Sequence, residues 1–234
     1  MKRILLFLLL LCCLTTPLRA EDAPLRDVVA TVEAGYAGLQ DLQAAFSQTT
    51  SLPGFPKPQK GHGELALRRP HGATAQFRFD YALPKQSIIS NGRQVWFYQP
   101  DQRQVLVSNL DGMFKGGNNI ALAYLTGLGN ISQDFSAAFA KEPRDRKGNY
   151  QIELTPHKPT AVLARLRLTV SAAAVERYQS DKALPDSFPI LSSLVVDGAG
   201  TQTRIDYSRV RVNSGLSSSR FTFKAPHGVT TITP

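Results

Sequence analysis

Gln76-Phe77-Arg78-Phe79-Asp80-Tyr81 alternates without a break between aromatic and polar residues. Successive side chains of a β-strand point to opposite faces, so Phe77, Phe79 and Tyr81 share one face and Gln76, Arg78 and Asp80 the other. A strand with one dry and one wet face belongs in an antiparallel sheet that meets water on one side. Outward from this stretch the pattern recurs. Gly63, Leu65 and Leu67 alternate with Glu64, Ala66 and Arg68; Tyr150, Ile152 and Leu154 with Gln151 and Glu153; Leu166, Leu168 and Val170 with Arg165, Arg167 and Thr169. Asn91-Gly92 between Gln86–Ser90 and Gln94–Gln99 predicts a hairpin. Pro100-Asp101 predicts a turn into a further strand at residues 103–108. Thr203, Ile205 and Tyr207 hold one parity and Val210 and Val212 the other, which predicts a bulge near Ser208 and Arg209. Roughly a dozen strand candidates in sequential hairpins, all with one dry face, imply a mainly β fold built on a single, strongly curved antiparallel sheet.

Three stretches depart from this period. Leu25, Val28, Val29, Val32, Tyr36, Leu39 and Leu42 recur at helical spacing, with Asp22 as the expected cap and Pro24 in the first turn. Residues 118–128 are apolar nearly all round, with Asn118 or Asn119 placed to cap a short helix and Gly127 or Gly129 to end it. Such a helix must be covered on both sides or itself cover something apolar. Residues 172–188, rich in Ala, Asp, Ser and Pro, read as a helical turn and a long loop.

A curved sheet with one dry face needs a cover, and two helices cover a sheet of this size incompletely. The dry face is therefore a closed core or a cavity lined by Leu65, Leu67, Phe77, Phe79, Trp96, Leu166 and Leu168. Apolar strand faces are usually core, and the residues by themselves favour closure.

The amino terminus is an export leader. Lys2 and Arg3 precede an unbroken apolar run at residues 4–14, and a polar exit leads to Ala20, a small residue suited to cleavage. The run is too short to span a bilayer as a helix. Both cysteines, Cys12 and Cys13, lie within it, so a chain cleaved after Ala20 has no disulfide. Residues 21–234 read as one domain without internal repeats. Losing Lys2, Arg3 and Arg19 leaves 24 basic against 18 acidic residues, a formal charge of +6 rather than +9. The cations are scattered and no nucleic-acid motif accompanies them, so they read as a solvated basic surface or as attraction to anionic lipid headgroups or an acidic partner.

Nothing in the residues argues for catalysis. His62, His71, His157 and His227 are isolated, and His62 with Glu64 is at most a weak metal pair. Nucleophile-elbow, His-Glu-x-x-His and phosphate-loop motifs are absent from the sequence.

Motifs in order along most of the chain resemble the LolA family of periplasmic outer-membrane lipoprotein carriers. They are Phe46-Ser47-Gln48, Gly61-His62-Gly63-Glu64-Leu65, Arg69-Pro70, Phe77-Arg78-Phe79-Asp80-Tyr81, Ile89-Ser90-Asn91-Gly92, and Val95-Trp96-Phe97-Tyr98-Gln99-Pro100-Asp101. Gln202-Thr203-Arg204-Ile205, Val210-Arg211-Val212-Asn213 and the closing Phe221-Thr222-Phe223-Lys224-Ala225-Pro226 complete the series. The resemblance implies an unclosed antiparallel β-barrel (a half-barrel) with an N-terminal helix and short lid helices over an apolar cavity. It implies a monomeric periplasmic chaperone that is not an enzyme, uses no cofactor and binds no nucleic acid. Such a protein encloses the acyl chains of lipoproteins released by an inner-membrane ATP-driven complex and passes them to an outer-membrane receptor. A lipoprotein sensor on the same fold, or the receptor itself if a cysteine were lipidated, are the alternatives. Carried over residue by residue, Arg69 hydrogen-bonds to the lid, Ile120, Leu122 and Leu125 lie in the lid, and Phe77 meets a partner. The spacing from Arg69-Pro70 to Phe77 and the 172–188 stretch are longer than the family pattern.

Overall fold

A computed structural model describes residues 22–71, 74–110, 131–182 and 188–233. The expected leader, with both cysteines, lies outside them, as do the 118–128 segment and its Ile120, Leu122 and Leu125. Helix α1 is Leu25–Ala37 and β1 is Asp41–Ser51. The next strands are β2 Gln59–Arg68, β3 Gln76–Leu83, β4 Gln86–Ser90, β5 Gln94–Gln99 and β6 Gln104–Asn109. After the short α2, Ile131–Asp134, come β7 Phe135–Arg144, β8 Tyr150–Pro156 and β9 Arg165–Val170. Helix α3, Ala172–Asp181, leads to β10 Ile190–Val196, β11 Gln202–Val212 and β12 Thr230–Ile232.

All twelve strands join one sheet in the order β12-β6-β5-β4-β3-β2-β1-β11-β10-β9-β8-β7. The two end strands do not pair with each other, so the barrel is unclosed. Pairing is antiparallel except at β12, which runs parallel to β6. The sheet wraps around α1. This helix meets the edge strand β7 and, through Tyr36, the residue that follows β2. Those strands are six places apart in the sheet order, about 29 Å on a flat sheet with strands ~4.8 Å apart. A 13-residue helix is only about 20 Å long, so the sheet must curl to bring both within its reach.

The sequence reading of α1 needs two corrections. Its cap is Pro24, which makes no side-chain capping bond, while Asp22 accepts from Nε and Nη2 of Arg144 at 3.0 and 2.6 Å. The helical pattern also ends earlier than Leu42. Gly38 donates to the carbonyl of Ala34 and closes the helix, and Leu42 already belongs to β1, where it is buried on the same face as Ala44 and Phe46. In the 172–188 stretch the helical turn is a ten-residue helix, capped by the Ser171 hydroxyl, which accepts from the Ala174 N–H.

The predicted bulge is present. Gln43 pairs Arg211 and Ala45 pairs Ser208, so β11 carries one extra residue, and Arg209 takes a left-handed φ of 51°. The Asn91-Gly92 hairpin forms with the Asn91 side chain accepting from the N–H groups of Arg93 and Gln94. Gly63 sits where the backbones of β2 and β3 come close. A Cβ there would lie 2.0 Å from the carbonyl oxygen of Asp80.

Candidate functional site: the concave apolar face

Registry fixes what shares a face. Across β1 to β6 the aligned rows Ala44–Leu65–Phe79–Ile88–Phe97–Leu106 and Leu42–Leu67–Phe77–Ser90–Val95–Ser108 point to one side. Beyond β1 the same side continues through Ile205, Ser193, Leu168 and Ile152, and through Val195, Leu166 and Leu154. The concave face is thus one apolar surface from β8 to β5, gathered with α1 and Phe188 into a single core cluster.

Leu65, Leu67, Phe77, Phe79, Leu166 and Leu168 all lie on this face and are buried, as the period-two pattern implied. Trp96 does not. It is in register with Ile89 and Val107, on the opposite side of the strand from Val95 and Phe97. There it belongs to a second layer, in which Phe221 and Phe223 fold back over the outer face. The Phe223 ring lies 5.1 Å from Tyr98 and 6.5 Å from Trp96, Phe221 is fully buried, and Arg78 donates to the carbonyl of Arg220. The Phe-Thr-Phe segment therefore covers the convex face, while α1 packs on the concave one. Phe77 is only 1 % exposed, with its ring in the core.

Arg69 follows β2. Its Nη1 donates to the carbonyl of Tyr36 at 2.6 Å, and its guanidinium lies 6.0 Å from the Tyr36 ring. Its backbone N–H donates to Gln40. The Tyr36 carbonyl belongs to the last turn of α1, where carbonyls lack helical partners and a cation is favoured. Among the described residues, then, Arg69 clamps the carboxyl end of the covering helix.

Several functional candidates on this face carried weak sequence signals. Phe46 stacks edge-on against Phe79 and Tyr81 at 5.5 and 4.9 Å. Polar groups are set into the apolar surface in pairs: the Tyr81 hydroxyl donates to Gln48 Oε1 at 2.9 Å, and the Tyr207 hydroxyl lies 2.9 Å from Ser193 Oγ. Burial pushes the Tyr81 phenol up to about 12 and those of Tyr36 and Tyr207 further above their ordinary value. Tyr36, fully buried against Phe188, has no hydrogen-bond partner for its hydroxyl among the described residues. At the β5–β6 margin the face opens: Phe97 is half-buried and Leu106 is 41 % exposed. Of the polar residues considered for metal binding, Glu64 is taken up by Arg209 at 2.7 Å, and no cluster of three metal-ligating side chains occurs among the described residues. Among those residues no helix is long and apolar enough to cross a membrane.

The sequence profile of the family described as outer membrane lipoprotein carrier protein LolA matches residues 37–180. An outer-membrane lipoprotein carrier protein of Pseudomonas paraeruginosa is 30 % identical over 194 residues, covering 82 % of this chain and 81 % of its own. One from Nitrosomonas europaea is 29 % identical over 232 residues, covering 97 % and 98 %. Among solved structures, an uncharacterized conserved protein of Thermus thermophilus superposes with a TM-score of 0.50 at 11 % identity over 89 % of this chain and 98 % of its own, a likeness of fold.

Proposed function

The chain belongs to the LolA family of outer-membrane lipoprotein carriers, and from that premise we propose that it carries lipoproteins across the periplasm, enclosing their acyl chains against the concave face. The observation that carries this reading is the continuity of the apolar surface from β8 to β5, with α1 packed against it.

The physical requirement is plain. Burying a methylene is worth ~0.8 kcal/mol, so an acyl chain of about fifteen methylenes is disfavoured in water by roughly 12 kcal/mol. A carrier must supply that much apolar contact and still release its cargo. A cover that changes between two arrangements meets both needs, provided the cargo binds one of them better. Helix α1 is held in place by a few polar ties: Arg69, which follows β2, to the Tyr36 carbonyl, Gln179 Nε2 of α3 to Asp27 at 2.8 Å, and the Ser132 N–H of α2 to Glu33 at 2.8 Å. Arg69 and the lid segment with Ile120, Leu122 and Leu125 are parts of this proposal, whereas Phe77, with its ring in the core, is not placed to meet a partner. The inner-membrane releasing complex and the outer-membrane receptor enter the proposal as partners.

The test is incubation with inner-membrane vesicles that hold a lipoprotein and an ATP-driven releasing complex. Transfer of the lipoprotein into a soluble one-to-one complex is the expected result. Lipoprotein that stays on vesicles whose complex serves a known carrier would refute the proposal.

A further inference from the structure

The most exposed large apolar side chains among the described residues are Phe55, at 69 %, and Leu83, at 56 %. They leave the same end of the sheet. Thr50 pairs Gln59 at the mouth of the β1–β2 loop, and His62 of β2 pairs Leu83 at the end of β3. Gln99 pairs Gln104 at this end too, so the β5–β6 turn joins the group. Arg69 and the start of β1 are at the far end of the same strands.

The surroundings of these two side chains are cationic. Lys57, Lys60, Lys85 and Arg103 are all exposed at this end, with Asp101 the exposed acid of the same three connections. The β1–β2 loop is stiffened by Pro53, Pro56 and Pro58, whose rings fix φ. A turn bond from the Phe55 N–H to the Leu52 carbonyl, 3.1 Å, shapes its tip, and Pro53 packs beside Gly200 of the β10–β11 turn. Phe55 is thus presented outward by a constrained loop. An aromatic ring and a leucine framed by ammonium groups match the border between anionic headgroups and acyl chains, where apolar side chains sink and lysines meet phosphates.

We infer that this end of the barrel is a docking tip for anionic bilayer surfaces, with Phe55 and Leu83 entering the headgroup layer and Lys57, Lys60 and Lys85 meeting its phosphates. The function proposed above does not require it. Each lysine near such a surface contributes roughly fivefold in affinity, and the apolar pair adds to this.

The experiment is cosedimentation of the exported protein with vesicles free of lipoprotein, made of phosphatidylcholine alone or mixed equally with phosphatidylglycerol. Binding to the mixed vesicles only, weakened by salt, is expected. The pair Phe55→Ser with Leu83→Ser, and separately Lys57→Glu with Lys60→Glu and Lys85→Glu, should each weaken it at least about tenfold with unchanged thermal unfolding. A Phe55→Trp substitution in a Trp96→Phe background should be quenched by bromine-labelled acyl chains. Absence of binding to the anionic vesicles, as a tip that docks on an acidic protein would give, overturns the inference; so do variants that bind as well as the parent. Because the vesicles contain no lipoprotein, failure here leaves the release assay to judge carriage by itself.

Discussion

Replacing Arg69 by Leu removes a charge-assisted hydrogen bond of 2.6 Å to the Tyr36 carbonyl, together with a guanidinium 6.0 Å from the Tyr36 ring. A hydrogen bond to a charged group contributes about 1.5–3 kcal/mol, and a cation over an aromatic ring about 0.5–1 at an exposed site. Two features reduce the sum. The Tyr36 carbonyl keeps a second donor, the Leu39 N–H at 3.2 Å, so it is not orphaned. Arg69 is also half-exposed, which lets water replace part of the bond. The expected net loss is about 1.5 kcal/mol. For a protein of this length that is a fall in Tm of roughly 3–6 °C. Hydrogen exchange should localise the loss, with the last-turn amides of α1 exchanging about tenfold faster while those of β2 and β3 hold. Arg69→Lys, which keeps the charge without the planar fork, should lie between the two. If Arg69→Leu leaves both Tm and α1 exchange unchanged, the clamp contributes nothing and Arg69 leaves the account of release.

Asp41 is buried, and its carboxylate accepts from the N–H groups of Ser214, Gly215 and Leu216 and from the Ser214 hydroxyl. Burial works to raise its pKa, but these donors overcome it and hold the carboxyl below its usual range. A depressed folded value means stability that is present above the unfolded pKa and lost as pH falls through the folded one, so Asp41→Asn should cost about 2 kcal/mol at neutral pH and progressively less in denaturant melts at lower pH, below about 4. Ultraviolet titration should show fewer than all seven tyrosines ionising near pH 10, with Tyr36, Tyr81 and Tyr207 lagging. Their raised values favour the folded state below the unfolded pKa and lose that contribution as pH rises, so the lag should vanish in denaturant. Gly63→Ala should destabilise by about 1–3 kcal/mol through the backbone of Asp80, read by chemical denaturation.

Much of this arrangement was legible from alternation. Where one face is dry and the other wet, parity assigns the face, and Leu65, Phe79 and Leu168 came out where period two put them. The bulge was legible for the same reason, because Tyr207 and Val210 could not share a face without an extra residue. Trp96 escaped because β5 is apolar on both faces: Val-Trp-Phe-Tyr alternates nothing, and only the distant Phe221 and Phe223 create the second layer that takes the tryptophan. Leu42 escaped because it follows Leu39 by three residues, a helical interval, although it already lies in β1. The polar pairs Tyr81–Gln48 and Tyr207–Ser193 are cross-strand contacts between residues far apart in sequence, and no local pattern announces them.

Trp96 and Phe97 are neighbours in the chain on opposite faces of β5, which makes them the sharpest probe of where cargo goes. A photoactivatable phenylalanine analogue placed at one position or the other, in protein loaded with a lipoprotein carrying radiolabelled acyl chains, reports the face directly. Crosslinking of the acyl chains from position 97 and its near absence from position 96 is the predicted result. Equal labelling from both positions, or labelling from 96 alone, would contradict the assignment of the concave face as the lipid site.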